Sequence, residues 1–295
     1  MAAKKPATRM QRAGNGHSYY LDGEKVPGVT TILGDGLPKP ALVGWAANTT
    51  ADYVMNRLRV VDGHVVADDL VDDLKAWNAT RPGWAQVKIG GGDLERLALA
   101  RILANVRYKD RDDAARRGTE VHLIAERLAR GETVEVPEEL RGHVDAYVRF
   151  LEEWKPRRAL LERVVVNRRW RYMGKLDMIA EFPGMVWEDG SPVGRALLDV
   201  KTSRSGIFPE VGLQLEGYRN AETMLDGGDE IPMPSVDWVG AIHVTGEGYE
   251  VRRLNTTPET FRVFLYAKQL ADWLAKDGPA SSMVSDALPV PRSAS

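Results

Sequence analysis

The hydrophobic period changes near Pro156, and that change limits the chain to folds that join a helical half to a sheet. Before it, apolar residues recur at helical spacing. Pro40-Ala41-Leu42-Val43 opens a helix with proline in its first turn, and further helices are predicted at about 66–78, 93–108, 113–130 and 137–154. After it, residues 159–166, 170–182 and 195–201 alternate with period two and read as successive strands. Pro183-Gly184 and Asp189-Gly190-Ser191-Pro192 turn the last two into a long-looped hairpin, which sets Asp177 and Asp199 on neighbouring strands. Residues 208–225 are then predicted helical, 236–245 and 249–254 form a strand pair, and Thr257-Pro258-Glu259-Thr260 opens a last helix to about Lys276. Ahead of all this, 19–21, Asp22-Gly23 and 26–33 read as a β-hairpin with an Asp-Gly turn.

These signals divide the chain into a disordered basic tail (1–16), a hairpin with a helical region (17–110), a core (111–277) and a flexible tail (278–295). The fold class is α/β. With 43% hydrophobic and 28% charged residues, the chain can bury a sizeable core. Its apolar runs fall short of the roughly 20 residues that span a bilayer, and the N-terminus lacks the apolar stretch of a signal peptide, so the expectation is a cytoplasmic protein with no membrane partner. Zero cysteines exclude disulfides, thiolate zinc sites and cysteine-ligated iron-sulfur clusters. Any metal must be held by carboxylates, carbonyls or imidazole. No GxxxxGK[ST] phosphate loop is present, which argues against an ATP-driven motor.

The stretch richest in chemistry is Asp199-Val200-Lys201. In a strand the acid and the lysine share one face while Val200 points into the core, and the polar turn Thr202-Ser203-Arg204-Ser205-Gly206 follows at the strand end, where open α/β sheets place ligands. Upstream, Gly118 to Glu126 places His122 and Glu126 one helical turn apart, and downstream Gln214 and Tyr218 repeat that spacing. Taken singly each has a plain reading: a partly buried histidine, a core tyrosine with a surface glutamine. Basic residues gather just before these motifs. Lys155, Arg157, Arg158, Arg163, Arg168, Arg169, Arg171 and Lys175 share a span whose only acid is Glu162, and a more mixed cluster ends at Arg116 and Arg117. A charge run of this kind is most often a solvated face.

The order G-x-x-x-H (Gly118 to His122), G-x-x-D (Gly174 to Asp177), D-x-K (Asp199 to Lys201) and Q-x-x-x-Y (Gln214 to Tyr218) resembles the PD-(D/E)XK nuclease superfamily, in its RecB-type exonuclease branch found in bacteriophages. The resemblance covers about residues 115–225. It implies a restriction-endonuclease-like core, a central mixed β-sheet flanked by helices, and hydrolysis of DNA phosphodiester bonds with Mg²⁺ or Mn²⁺. Asp177, Asp199, the Val200 carbonyl and His122 would hold the metal. Lys201 would face the scissile phosphate, Glu126 would support the metal, and Gln214 with Tyr218 would position lysine or substrate. Arg116, Arg117, Ser203 and Arg204 would contact DNA phosphates. The implied setting is replication, recombination or repair in a host cytoplasm, with DNA and a recombination or replication protein as partners, and a monomer as the default. A catalytically silent nuclease fold that binds DNA through the same basic segments is the alternative; retention of both acids and the lysine favours the enzyme.

Overall fold

In the computed structural model, residues 8–13, 16–38, 40–61, 64–81, 83–89, 93–203 and 206–285 are described. The chain divides into two compact units, Met1–Pro38 with Gly118–Ser295, and Lys39–Arg117.

The larger unit begins with an antiparallel meander of β1 (Arg9–Ala13), β2 (Gly16–Leu21) and β3 (Glu24–Val26). Asp22 (φ 52°) and Gly23 (φ 90°) make the expected tight turn between β2 and β3, since such a turn needs positive φ at both central residues. Two expectations are corrected here. Residues 9–13 form a strand inside the stretch read as a disordered tail; residues 1–7 lie outside the described residues. The second hairpin strand stops at Val26, and α1 (Val29–Gly36) follows, burying Val29, Ile32, Leu33 and Gly36 at helical spacing.

The smaller unit holds α2 (Pro40–Met55), a hairpin of β4 (Arg59–Val61) and β5 (His64–Val66), α3 (Asp68–Thr80) and α4 (Asp93–Asn105), around a core of Leu74, Ile102 and Val106. α5 (Arg107–Ala129) starts in this unit, and its residues from Gly118 onward belong to the larger one. The helices agree with the periodicity; the short hairpin does not announce itself there.

From α6 (Arg141–Trp154) onward the larger unit becomes sheet. The segment 159–166 is two strands, β6 (Arg157–Leu161) and β7 (Val164–Asn167), and 170–182 is likewise two, β8 (Tyr172–Lys175) and β9 (Met178–Glu181). Both break at the same level and change sheets there. Glu162 takes a left-handed backbone (φ 54°), and the bonds Glu162 N–H to Asp177 O (2.9 Å) and Leu176 N–H to Arg163 O (2.9 Å) keep the two chains paired across the break. β10 (Arg195–Lys201) pairs antiparallel with β9.

The expected helix 208–225 ends early. α7 (Glu210–Arg219) gives way to β11 (Thr223–Asp226) and β12 (Asp229–Pro232), a hairpin turned by Gly227 and Gly228. β13 (Trp238–Val244) runs parallel to β10, and β14 (Tyr249–Arg253) closes the edge. The result is a five-stranded mixed sheet, β14-β13-β10-β9-β6, beside a four-stranded antiparallel sheet, β12-β11-β7-β8. α8 (Pro258–Leu274) starts where proposed, with proline at its first position and the Thr257 N–H donating to Thr260 Oγ1 (3.0 Å). A short 3-10 turn, Pro279–Ser282, lies in the stretch read as a tail, and 286–295 fall outside the described residues.

Two cores clamp the mixed sheet. Leu176, Ile179 and Leu197 meet Val29 and Ile32 of α1, Leu215 of α7 and Phe264 of α8 on one face. Leu198, Val200 and Ile242 meet Ala146, Tyr147 and Phe150 of α6 on the other. Each large apolar side chain buried this way contributes about 1.5–3 kcal/mol. Among the described residues, no helix is long and apolar enough to cross a membrane.

Candidate functional site

Alternation along β10 sorts its side chains. Leu198 and Val200 enter the α6 core, which leaves Leu197, Asp199 and Lys201 on the α7 face. Pairing of Leu198 with Met178 brings the residue before β9, Asp177, alongside the end of β10, where its Oδ2 accepts the Val200 N–H at 2.8 Å. The structure thus offers Asp177 the Val200 amide.

Two motif glycines are explained by close approach. A Cβ on Gly174 would lie 2.5 Å from the Tyr218 ring, so β8 leaves space for α7 to lie against it. The Tyr172 hydroxyl then donates to Gly217 O (2.7 Å) and fixes that contact. A Cβ on Gly118 would sit 3.2 Å from Thr202 Oγ1, so α5 passes close to the turn after Lys201.

With the elements so placed, four of the proposed residues form one network. Asp199 accepts from Gln214 Nε2 (2.6 Å), Gln214 Oε1 accepts from Lys201 Nζ (3.2 Å), Gln214 Nε2 also reaches the Tyr218 hydroxyl (3.3 Å), and Lys201 Nζ lies 2.7 Å from Asp199 Oδ2. Asp199 Oδ2 is buried, and the Lys201 ammonium is its partner there. A second group adjoins it. His122 Nδ1 is 3.4 Å from Asp177 Oδ2, and ligand atoms of His122, Glu162 and Asp177 lie within 4.8 Å of one another.

Electrostatics follow from burial and neighbours. Burial and the nearby Asp177 charge push the Asp199 carboxyl above its usual range, against the pull of Lys201. Burial also disfavours the Asp177 carboxylate, but His122 and the Val200 N–H outweigh it and its pKa falls. For His122 and Lys201, burial opposes the charged form, yet Asp177 and Asp199 respectively prevail and both cations are favoured. Burial lifts Tyr218 well above the ordinary phenol, which keeps it a neutral hydroxyl.

The other proposed residues fare differently. Glu126 is held by Arg130, the residue just past the end of α5 (2.5 Å), and stays outside the His122 group; the carboxylate found there is Glu162. Ser203 is exposed, and its carbonyl accepts from His243 Nε2 (2.8 Å). Arg116 and Arg117 lie on α5 within the smaller unit, and Arg204 lies outside the described residues. Much of the basic run before the site is spent structurally: Arg163 pairs with Asp226, Arg168 with Asp22 and Glu230, Arg171 with Glu24, and Lys175 with Glu162.

Sequence reasoning missed two residues. Glu162 had a signal, being the single acid in a basic stretch, but its role depends on a strand break that no glycine or proline marks. His243 sits beside Lys201 in the β10–β13 register, bridging Ser203 O and Glu250 (3.2 Å), and no local motif distinguishes it.

The donor set suits a hard divalent cation: carboxylate oxygens, among them those of the buried Asp199, and one imidazole. No family model and no curated protein matches the chain. The crystal structure of SSO0001 is similar at 11% identity over 85% of this chain and 98% of that chain, with a TM-score of 0.25, which carries no argument.

Proposed function

We propose that this chain is a divalent-metal-dependent deoxyribonuclease with a PD-(D/E)XK core of the RecB-type branch, acting as an exonuclease on linear DNA. The observation that carries the reading is convergence: motifs from α5, the β8–β9 junction, β10 and α7, separated by up to about a hundred residues, meet in one linked set of side chains. Surface acids that merely form ion pairs give no reason for that order to coincide with such a meeting.

Asp177 and Asp199, with His122, are the residues that would hold Mg²⁺ or Mn²⁺. Bound there, the metal supplies charge neutralisation on the phosphate and a more acidic water. Lys201 acts as a fixed cation, held in place by the Asp199 ion pair and by Gln214. Its ammonium offsets charge that develops on the phosphate. Gln214 holds both Asp199 and Lys201 in place through opposite ends of one amide, and Tyr218 anchors that amide from the core.

Labelled linear and circular DNA incubated with purified chain in Mn²⁺, Mg²⁺ or chelator tests the reading. Metal-dependent loss of the linear form is expected. DNA that is bound but left intact in both metals would replace the enzyme with a nuclease-fold binding module.

A further inference from the structure

We infer that His243 is a positioning residue for the DNA backbone: it clamps the turn that follows Lys201, and through that turn it sets how tightly substrate is held. This rests on the nuclease reading above and deepens it by naming what fixes the substrate side of the same site.

Register brings His243 to the site. Lys201 pairs with His243 across β10 and β13, and His243 pairs with Glu250 across β13 and β14, so the three lie in one row. Ile242 and Val244 enter the α6 core, which turns His243 to the opposite face, the one that carries Asp199 and Lys201. There its Nε2 meets Ser203 O at 2.8 Å, and its Nδ1 faces Glu250 Oε1 at 3.2 Å. A carbonyl only accepts, so Nε2 carries a proton in this contact. Glu250 is steadied in turn by two bonds from Arg252, Nε at 2.8 Å and Nη2 at 2.9 Å. A chain of side chains therefore runs from the sheet edge to the end of β10. With its side chain only 12% exposed, His243 makes the Ser203 contact with little competition from water.

The clamp acts where the ladder stops. Pairing of β10 with β13 ends at Lys201 and His243, and past that pair a side chain takes over from the backbone. Ser203 O also accepts the Gly206 N–H (3.2 Å), which closes the turn, and Gly206 (φ 85°) has the left-handed backbone that favours glycine. On its other side the turn is bounded by α5, where Thr202 lies close against Gly118. Lys201 is already held by Asp199 and Gln214, so the constraint that His243 adds falls on Thr202 and Ser203. Ser203 is exposed at the end of the strand that carries Asp199 and Lys201, a place from which hydroxyls and backbone amides contact phosphates. Such contacts orient a strand without reading its bases. Loss of the clamp should therefore weaken DNA of any sequence and spare the chemical step.

Cleavage kinetics in Mn²⁺, with DNA affinity of the full chain measured in chelator by fluorescence anisotropy, test this. H243A is expected to raise KM and the DNA Kd at least fivefold, while kcat falls no more than twofold and Mn²⁺ affinity stays that of wild type. H243Q, whose amide can place a donor near the position of Nε2, should recover both constants to within twofold of wild type, which separates positioning from a mere loss of packing. Unchanged KM and Kd in H243A, a fall confined to kcat, or an H243Q chain no better than H243A overturns the inference and leaves the nuclease reading intact. Should H243A not fold, E250A decides: it releases Nδ1 and should raise Kd at least twofold, and an unchanged Kd there overturns the inference as well. Wild type that binds DNA without cutting it removes the nuclease reading alone, because Kd still decides the clamp. Wild type that neither binds nor cuts DNA removes both.

Discussion

Asp199 and Lys201 are two residues apart on one strand face, and each is held by the same glutamine, so their geometry is over-determined before any substrate arrives. Loss of one transition-state charge stabiliser costs about 3–4 kcal/mol. Asp199→Asn and Lys201→Ala are each expected to reduce DNA cleavage at least a hundredfold, read by single-turnover assay; near-normal turnover in either would remove that residue from the site. His122 carries a second test. Asp177 raises its pKa above the ordinary 6.5 despite burial. A raised folded-state value gives stability that is fully present below the unfolded value and lost as pH rises through the folded one. In chelator, the stability gap between wild type and His122→Asn should therefore be larger at about pH 5.5 than at about pH 8.5. Urea titrations showing the same gap at both would contradict the pairing. At this scale the sequence was informative wherever a motif is local. Asp177, Asp199, Lys201, Gln214, Tyr218 and His122 meet as spaced, whereas Glu126 turned to Arg130 because helical spacing alone does not say which neighbour wins.

Elements were legible where one period rules. α3, α4, α6, α8 and β10 follow their patterns. The misses share a cause, which is tertiary packing overriding local preference. Val29-Thr30-Thr31-Ile32 is a β-branched run, yet it is helical because its buried stripe meets α7 and α8. The breaks at Glu162 and Asp177 escape notice because pairing continues through them. Close approach of elements gives a prediction of its own. Gly174→Ala forces a Cβ to 2.5 Å from the Tyr218 ring, and overpacking of this sort costs about 1–3 kcal/mol. Gly118→Ala meets only a hydroxyl at 3.2 Å. Thermal melts should show the first variant clearly less stable than the second; equal melting temperatures would show that α7 yields freely.

Across the whole molecule, a linear reading placed the hairpin with the helical region, while the structure places it with the sheet. The Gly28–Met173 bridge and the ion pairs of Asp22 with Arg168 and Glu24 with Arg171 bind residues far apart in sequence, and nothing local encodes such contacts. The site residues from His122 to Tyr218 all fall in the larger unit, so cation binding should report on the stability of that unit. At a hundred times its dissociation constant, a ligand adds about 2.7 kcal/mol, enough to raise the melting temperature by roughly 5–10 °C. Mn²⁺ is expected to do so for wild type and not for Asp177→Ala. If the chain acts on DNA as proposed, its net charge of −2 leaves binding to local basic groups, and DNA affinity is expected to fall steeply with salt while Mn²⁺ affinity changes little.

End-labelled linear duplex, incubated with wild type and Asp199→Asn side by side in Mn²⁺, measures the central claim most directly. Release of labelled products by wild type, abolished by chelator and reduced at least a hundredfold in the variant, is the expected result. Intact duplex with wild type, or equal release by both proteins, would contradict it.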